Sequence, residues 1–238
     1  MNTKLFNFGL KGLLLLMFFI TACRQEDIGP IQEENRTYSL SGFNQLEMGS
    51  GFKVSVNKGN TFAIEVKGDR RNLDDLRVRV INNTLKADYI NYRNRQYRTE
   101  FTITMPDLAA VDFSGGVVSD VMGFQELDDL NFALSGASRV KFNGQVQNVN
   151  ISLSGGSQLQ LLGGLTHLES EISGGSYLDT YSSAAQTAGI LASGGSQAKV
   201  LVINQLNAEA SGGSRIFYKG NPPIVNRNTS GGAQIIQE

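Results

Sequence analysis

The tripeptide Ser-Gly-Gly, or once Ser-Gly-Ala, begins at Ser114, Ser135, Ser154, Ser173, Ser193, Ser211 and Ser230, with successive spacings of 21, 19, 19, 20, 18 and 19 residues. Around each copy the polarity alternates, as in Val149-Asn150-Ile151-Ser152-Leu153 before Ser154 and Leu159-Gln160-Leu161 after it. A period of two marks strands. Each unit therefore reads as strand, Ser-Gly-Gly corner, strand and a second corner such as Asn143-Gly144 or Gly163-Gly164, with no length left for a helix. A unit this short cannot bury its own apolar face, so units must stack, each strand pairing with its equivalent one coil along at about 4.8 Å. The expected fold is an all-β parallel β-solenoid of coils of about 19 residues over 111–238, wound right-handed as β-helices usually are.

Stacked corners leave little space for Cβ atoms, and a turn repeated at one place in every coil needs positive φ or close backbone approach. Gly115, Gly116, Gly136, Gly155, Gly156, Gly174, Gly175, Gly194, Gly195, Gly212, Gly213, Gly231 and Gly232 are accordingly read as structural corners. The serines are suited either to a coil-to-coil ladder or to capping their own turn. Leu46-Glu47-Met48-Gly49-Ser50-Gly51-Phe52-Lys53-Val54 has the same alternation around a glycine corner and reads as a degenerate first coil. If so, the residues between about Asn57 and Pro106 form an insertion or starting cap, with strand-like stretches at 61–66, 76–81, 84–89 and 99–105 and a hairpin turn at Asn82-Asn83. The β-rich N-terminal part is set at 38–110.

Ahead of this lies an export signal. Lys4 and Lys11 precede the apolar run Leu13 to Ile20, and Thr21-Ala22-Cys23 follows, giving the charged, apolar and small-residue regions of a signal peptide over 1–22. The run is too short to span about 30 Å of hydrocarbon. Cys23 is the sole cysteine. Ile20-Thr21-Ala22-Cys23 resembles the lipobox of bacterial lipoproteins, which implies a diacylglyceryl group on Cys23 and, with Glu26 and Asp27 close behind, an outer-membrane protein that can face the cell surface. Each buried acyl CH₂ contributes about 0.8 kcal/mol, so several chains hold a protein firmly. The polar residues 23–37, with Gly29 and Pro30, read as a flexible tether. The membrane is expected to be contacted through the lipid alone.

Catalytic raw material is scarce. His167 is the only histidine, and the serines recur in turns where a single nucleophile would not explain them. Asp112, Asp120 and Asp179 are the acids whose convergence would favour a carbohydrate-active enzyme, the least favoured reading. Calcium-binding β-rolls place aspartate in their glycine-rich repeat, whereas here the residue after Ser-Gly-Gly is Val117, Ser157, Ser176, Ser196, Ser214 or Ala233. No metal or cofactor is expected.

Charge separates the chain. From Lys53 to Arg98 eleven Lys or Arg face five Asp or Glu, a balance of +6; from Thr99 to Glu238 six face twelve, a balance of −6. Within the basic part, Tyr89, Tyr92, Arg93, Arg95, Tyr97 and Arg98 interleave aromatic and cationic groups and form the candidate ligand-binding set, against the alternative of a solvated hairpin covering the core.

Phe43-Asn44-Gln45-Leu46-Glu47, Gly51-Phe52-Lys53-Val54-Ser55-Val56, Thr84-Leu85-Lys86, Thr102-Ile103-Thr104-Met105-Pro106 and the serial Ser-Gly-Gly turns together resemble the head-GIN domain family of putative auto-transporter adhesins, common among Bacteroidota lipoproteins. The resemblance covers about Tyr38 to Glu238 and implies a β-helical fold and an envelope location, without functional residues to carry over. Three readings follow: a non-catalytic envelope lipoprotein that binds glycan or protein as an adhesion module; a structural envelope component self-associating through solenoid ends near Ile235 and Ile236; and an enzyme. Nucleic acid is not expected as a partner.

Overall fold

The computed structural model describes residues 29–238, and the chain divides into two units at Pro30. The signal segment 1–22, Cys23 and the start of the tether lie outside the described residues. In chain order the second unit comprises β1 (Glu33–Thr37), β2 (Gln45–Met48), β3 (Lys53–Lys58), β4 (Ala63–Asp69), α1 (Arg70–Leu73), β5 (Leu76–Ile81), β6 (Thr84–Tyr89), β7 (Glu100–Met105) and β8 (Ala110–Phe113). There follow the long strands β9 (Val118–Leu134), β10 (Arg139–Leu153), β11 (Gln158–Ile172), β12 (Tyr177–Ala192) and β13 (Gln197–Ala210), then β14 (Arg215–Lys219), β15 (Ile224–Thr229) and β16 (Gln234–Gln237).

The repeat closes as a parallel solenoid. Each long strand pairs in parallel with the next, so that Val140 sits against Leu159, Leu159 against Leu178, and Leu178 against Ala198. A coil has two halves. The half following the Ser-Gly-Gly corner forms a front sheet, and the half preceding the next corner forms a back sheet. Inward side chains alternate along both: Val140 and Phe142 in front, Val149, Ile151 and Leu153 behind, all buried. Phe132 from the back meets Phe142 from the front with ring centroids 5.8 Å apart, so the interior between the sheets is filled by side chains.

The corners show why glycine recurs. The first glycine of each corner has positive φ, from 58° to 71°. A Cβ on Gly174 would stand 2.6 Å from the Gly155 carbonyl oxygen. The second glycine is less constrained, since a Cβ on Gly175 would be 3.6 Å from its nearest neighbour, and Ala137 occupies the equivalent place in one coil. The serine after the glycines points inward and, except at Ser176, caps its own turn: Ser138, Ser157, Ser196 and Ser214 donate to the carbonyls of Ser135, Ser154, Ser193 and Ser211 at 2.9, 2.7, 2.8 and 2.8 Å. Between coils the ladder is carried mainly by backbone, as in Ser173 N–H to Leu153 carbonyl at 2.9 Å, and the hydroxyls of Ser196 and Ser214 also reach the Ile172 and Ala192 carbonyls of the preceding coil at 3.2 and 3.0 Å.

The degenerate copy is a true coil: β2 pairs in parallel with β8 and β3 with β9, and Ser50 and Gly51 take positive φ at its corner. The segment after it adds a further layer beneath, because β6 pairs in parallel with β2 and β7 with β3. Antiparallel partners then cover both edges, β5 on β6 through the Asn82-Asn83 turn (φ 50° and 62°), and β4 on β7 with β1 outermost. Glu33–Thr37 is thus a strand, a correction to the tether drawn over 23–37: its main chain pairs with β4 although its side chains carry no apolar alternation.

Candidate functional site

Six residues, Tyr89 to Arg98, form the sequence's candidate binding set, and the fold divides them. Arg95 is withdrawn from solvent: its guanidinium pairs with Asp75, donates to Asn72 Oδ1 and the Asn91 carbonyl at 3.0 Å each, and lies 3.4 Å from the Tyr89 ring centroid. Burial pushes the Asp75 carboxyl up, but hydrogen bonds from Arg95 and Asn91 outweigh it and hold the acid below its usual range. Tyr89 packs on Phe52 at 5.1 Å and shares a 2.7 Å hydrogen bond with Thr99, its hydroxyl pKa raised by burial. Arg93 donates to the Arg71 carbonyl at 2.6 Å. Tyr97 is half-buried, and its carbonyl accepts from Asn72 at 2.9 Å. Tyr92 and Arg98 remain exposed. The set therefore works mainly as a clasp fastening 90–98 to the cap, and the buried acid Asp75, which polarity alone did not single out, is its centre.

Pairing of this kind extends over the whole cap. Of the eleven cations from Lys53 to Arg98, nine form ion pairs: Lys53, Lys67, Arg70, Arg71, Arg77, Arg79, Lys86, Arg93 and Arg95. Asp69, fully buried, is held well below the carboxylate range by Arg71, against the opposing effect of burial.

The solenoid behaves differently. Its six cations after Thr99 are Arg139, Lys141, Lys199, Arg215, Lys219 and Arg227, and among the described residues none has a carboxylate within ion-pair distance. Register places five of the six on the front sheet, on β10, β13 and β14. Between them, outward along the same sheet, stand Gln158, Gln160, Tyr177 and Asp179, which with Asp120 on the preceding coil and with Arg139 and Lys141 line an open depression of about 290 Å³. The coil containing β12 has a bulge after Thr180 that turns Tyr181 across its neighbours. Its ring lies 4.3 Å from Lys219 Nζ and 5.6 Å from Lys199 Nζ, and its hydroxyl donates to Glu238 at 2.9 Å. Burial, then Glu238, raises the Tyr181 pKa.

The back sheet carries the acids. Glu47, Asp112 and Glu171 share one outward column and Glu169 a second, within an open groove of about 540 Å³ together with Asn131 and Asn150. Side-chain amides form ladders there: Asn150 donates to Asn131 at 3.1 Å and Asn148 to Asp129 at 2.9 Å. His167 is exposed and bonds Thr187 at 2.8 Å. Asp112 faces backward whereas Asp120 and Asp179 face forward, three coils apart, about 14 Å at the strand spacing. These three acids do not converge, and the forward two stand farther apart than the carboxyl pairs that cleave glycosides.

The final coil puts Val225, Arg227 and Thr229 in register with the inward Leu206, Ala208 and Ala210, and Gln237 with Tyr218. Ile235 faces inward half-buried and Ile236 outward beside Phe217.

A family model described as "Putative auto-transporter adhesin, head GIN domain" matches residues 42–222. Among solved structures, a "putative adhesin" from Bacteroides fragilis is similar at 20% identity and TM-score 0.76, covering 87% of this chain and 97% of its own. A "putative lipid binding protein" from Parabacteroides distasonis (16%, TM-score 0.71) and a "putative adhesin" from Parabacteroides merdae (15%, TM-score 0.69) each cover 87% of this chain and 96% of their own. At these identities the likeness is one of fold. No curated protein matches the sequence.

Proposed function

Because this chain belongs to the head GIN domain family of auto-transporter adhesins, we propose that it is a non-catalytic adhesion module, lipid-anchored through Cys23 at the outer membrane and binding glycan or protein along its solenoid. The observation that carries the reading is the pair of parallel sheets, in which outward side chains on either side of the bulges stand in register from coil to coil and present an extended surface. Such a surface suits attachment to a long or repeating partner. The separation of Asp112, Asp120 and Asp179 supports the non-catalytic part. A bound acyl chain, which the name of the Parabacteroides distasonis relative suggests, finds the space between the sheets occupied by Phe132 and Phe142.

Self-association through the last coil is the weaker reading. Another coil stacked there would cover Arg227 in a column otherwise held by Ala208 and Ile190, and an inward charge is a known guard against edge pairing.

The test is metabolic labelling with an alkyne fatty acid, protease shaving of intact cells, and adhesion of cells to surface extracts, each in wild type and Cys23→Ser. Label, surface digestion and adhesion that all vanish in the variant are expected. Unlabelled protein would remove the anchor, and adhesion unchanged in cells lacking the protein would remove the function.

A further inference from the structure

The cations of the front sheet are what the rest of the molecule leaves unexplained. Five ammonium or guanidinium groups stand on one face of a chain segment whose balance is −6, and no ion pair among the described residues neutralises them. They fall in two groups. Arg139 and Lys141 lie on β10; Lys199, Arg215 and Lys219 lie three to four coils farther along, about 14 to 19 Å at the strand spacing. The residues between them are polar without being cationic: Gln158, Gln160, Asp179 and Tyr177.

We propose that the front sheet binds an acidic glycan lying along the solenoid axis, a polysaccharide in which carboxylate-bearing and neutral sugars alternate. This rests on the adhesion reading and names its ligand. The two cation groups are spaced to receive carboxylates carried on separated sugars. Gln158 and Gln160 offer both donors and acceptors, and Asp120 and Asp179 accept from hydroxyls. Those two acids also select against a polyanion charged at every unit, because a phosphate or sulfate chain of that density would meet them at short range. Tyr177 supplies a flat apolar ring against which a sugar can lie while its hydroxyls reach the glutamines. Tyr181 acts on the cations rather than on the sugar, since its ring holds the Lys199 and Lys219 ammonium groups in place without cancelling their charge. The back sheet, with its acids and amide ladders, is the wrong sign for such a ligand.

The test uses the full-length lipoprotein in detergent micelles and three probes: hyaluronan oligosaccharides as the alternating acidic glycan, dextran oligosaccharides as a neutral one, and inorganic polyphosphate as a dense polyanion. Hyaluronan binding is expected to exceed both others and to weaken as salt is raised. It should fall about tenfold in Lys199→Gln and in Arg139→Gln, and about tenfold in Tyr177→Ala with recovery in Tyr177→Phe. Arg98→Gln on the cap and Glu209→Gln on the back sheet, which share the fold but not the face, should leave it unchanged. Binding to hyaluronan no tighter than to dextran, polyphosphate bound as tightly and indifferent to Tyr177→Ala, or loss in Arg98→Gln instead of Lys199→Gln would each overturn the assignment. Cells that still adhere through the protein while the purified chain ignores hyaluronan would keep the adhesion reading and discard this ligand; a protein with neither property would discard both.

Discussion

The cap and the solenoid use charge in opposite ways. In the cap, basic residues are spent on structure: the half-buried Arg95 pairs with the buried Asp75 and locks 90–98 onto α1, while Arg77 and Arg79 share Asp88 across the β5–β6 pair. In the solenoid, the backbone ladder and the apolar interior hold the coils together, and the outward cations form no ion pairs among the described residues. A dense patch of arginines in a sequence can therefore be the least available part of a surface, and sparse cations spread over β10, β13 and β14 the most available.

This contrast can be broken experimentally. The largest effect is expected from Arg95→Ala, which leaves the buried Asp75 with only Asn91 and, at 4.0 Å, Arg93; removing one half of a buried pair costs on the order of 3–5 kcal/mol, and these remaining partners place the loss at the lower end. Hydrogen exchange should show the cap opening while β10 to β13 stay protected, and uniform loss of protection would show that the two regions fold as one unit. Next comes Gly174→Ala, where a Cβ meets the Gly155 carbonyl and φ is +67°; about 2 kcal/mol should be lost, whereas Gly175→Ala should cost little. A denaturant midpoint equal for the two would refute the stacking account of the corner. Ser196→Ala, which deletes the inward cap of one turn, should cost about 1 kcal/mol, measured the same way.

Acid should act on the cap before the solenoid. Asp69 and Asp75 have folded pKa values depressed below their unfolded ones, so their stabilisation is present above the ordinary carboxylate range near pH 4 and is lost as pH falls below it. Asp112 on the back sheet is raised, by burial and then by Glu47; its contribution has the reverse sign, diminishing as pH rises through that range. Exchange measured between pH 3 and 6 should therefore release cap amides first, and simultaneous release would contradict the pairing described.

Much of this was legible beforehand because a stacked repeat prints its geometry onto the sequence. The Ser-Gly-Gly period, the alternation around Leu159, the coil at Leu46–Val54 and the Asn82-Asn83 hairpin all follow from local rules. What local rules miss is pairing at a distance. Glu33–Thr37 has no apolar face and becomes a strand only because β4 offers an edge; β6 and β7 enter the stack through parallel pairing with β2 and β3, which no nearby turn announces. The division of the candidate set was hidden for the same reason: Asp75 lies twenty residues before Arg95, and nothing in the run Tyr89 to Arg98 indicates that its central arginine is already engaged. Of the front-sheet cations, Lys141 lies 2 residues after Arg139 and Lys199 lies 58 residues after Lys141, and they share a face only once register is known.

The corner glycines have an electrostatic consequence. The N–H of Gly175 donates to the Gly155 carbonyl, Gly195 to Gly174, Gly213 to Gly194 and Gly232 to Gly212, at 2.7 to 2.8 Å. These peptide units point the same way and stand head to tail along one edge of the molecule, as they do along a helix. The row has no such bond at the Gly136-Ala137 corner, where both residues take positive φ. From Gly155 onward each added coil lengthens a macrodipole whose positive end faces the cap and whose negative end faces the last coil, giving a β-protein a polar axis of the kind usually credited to helices.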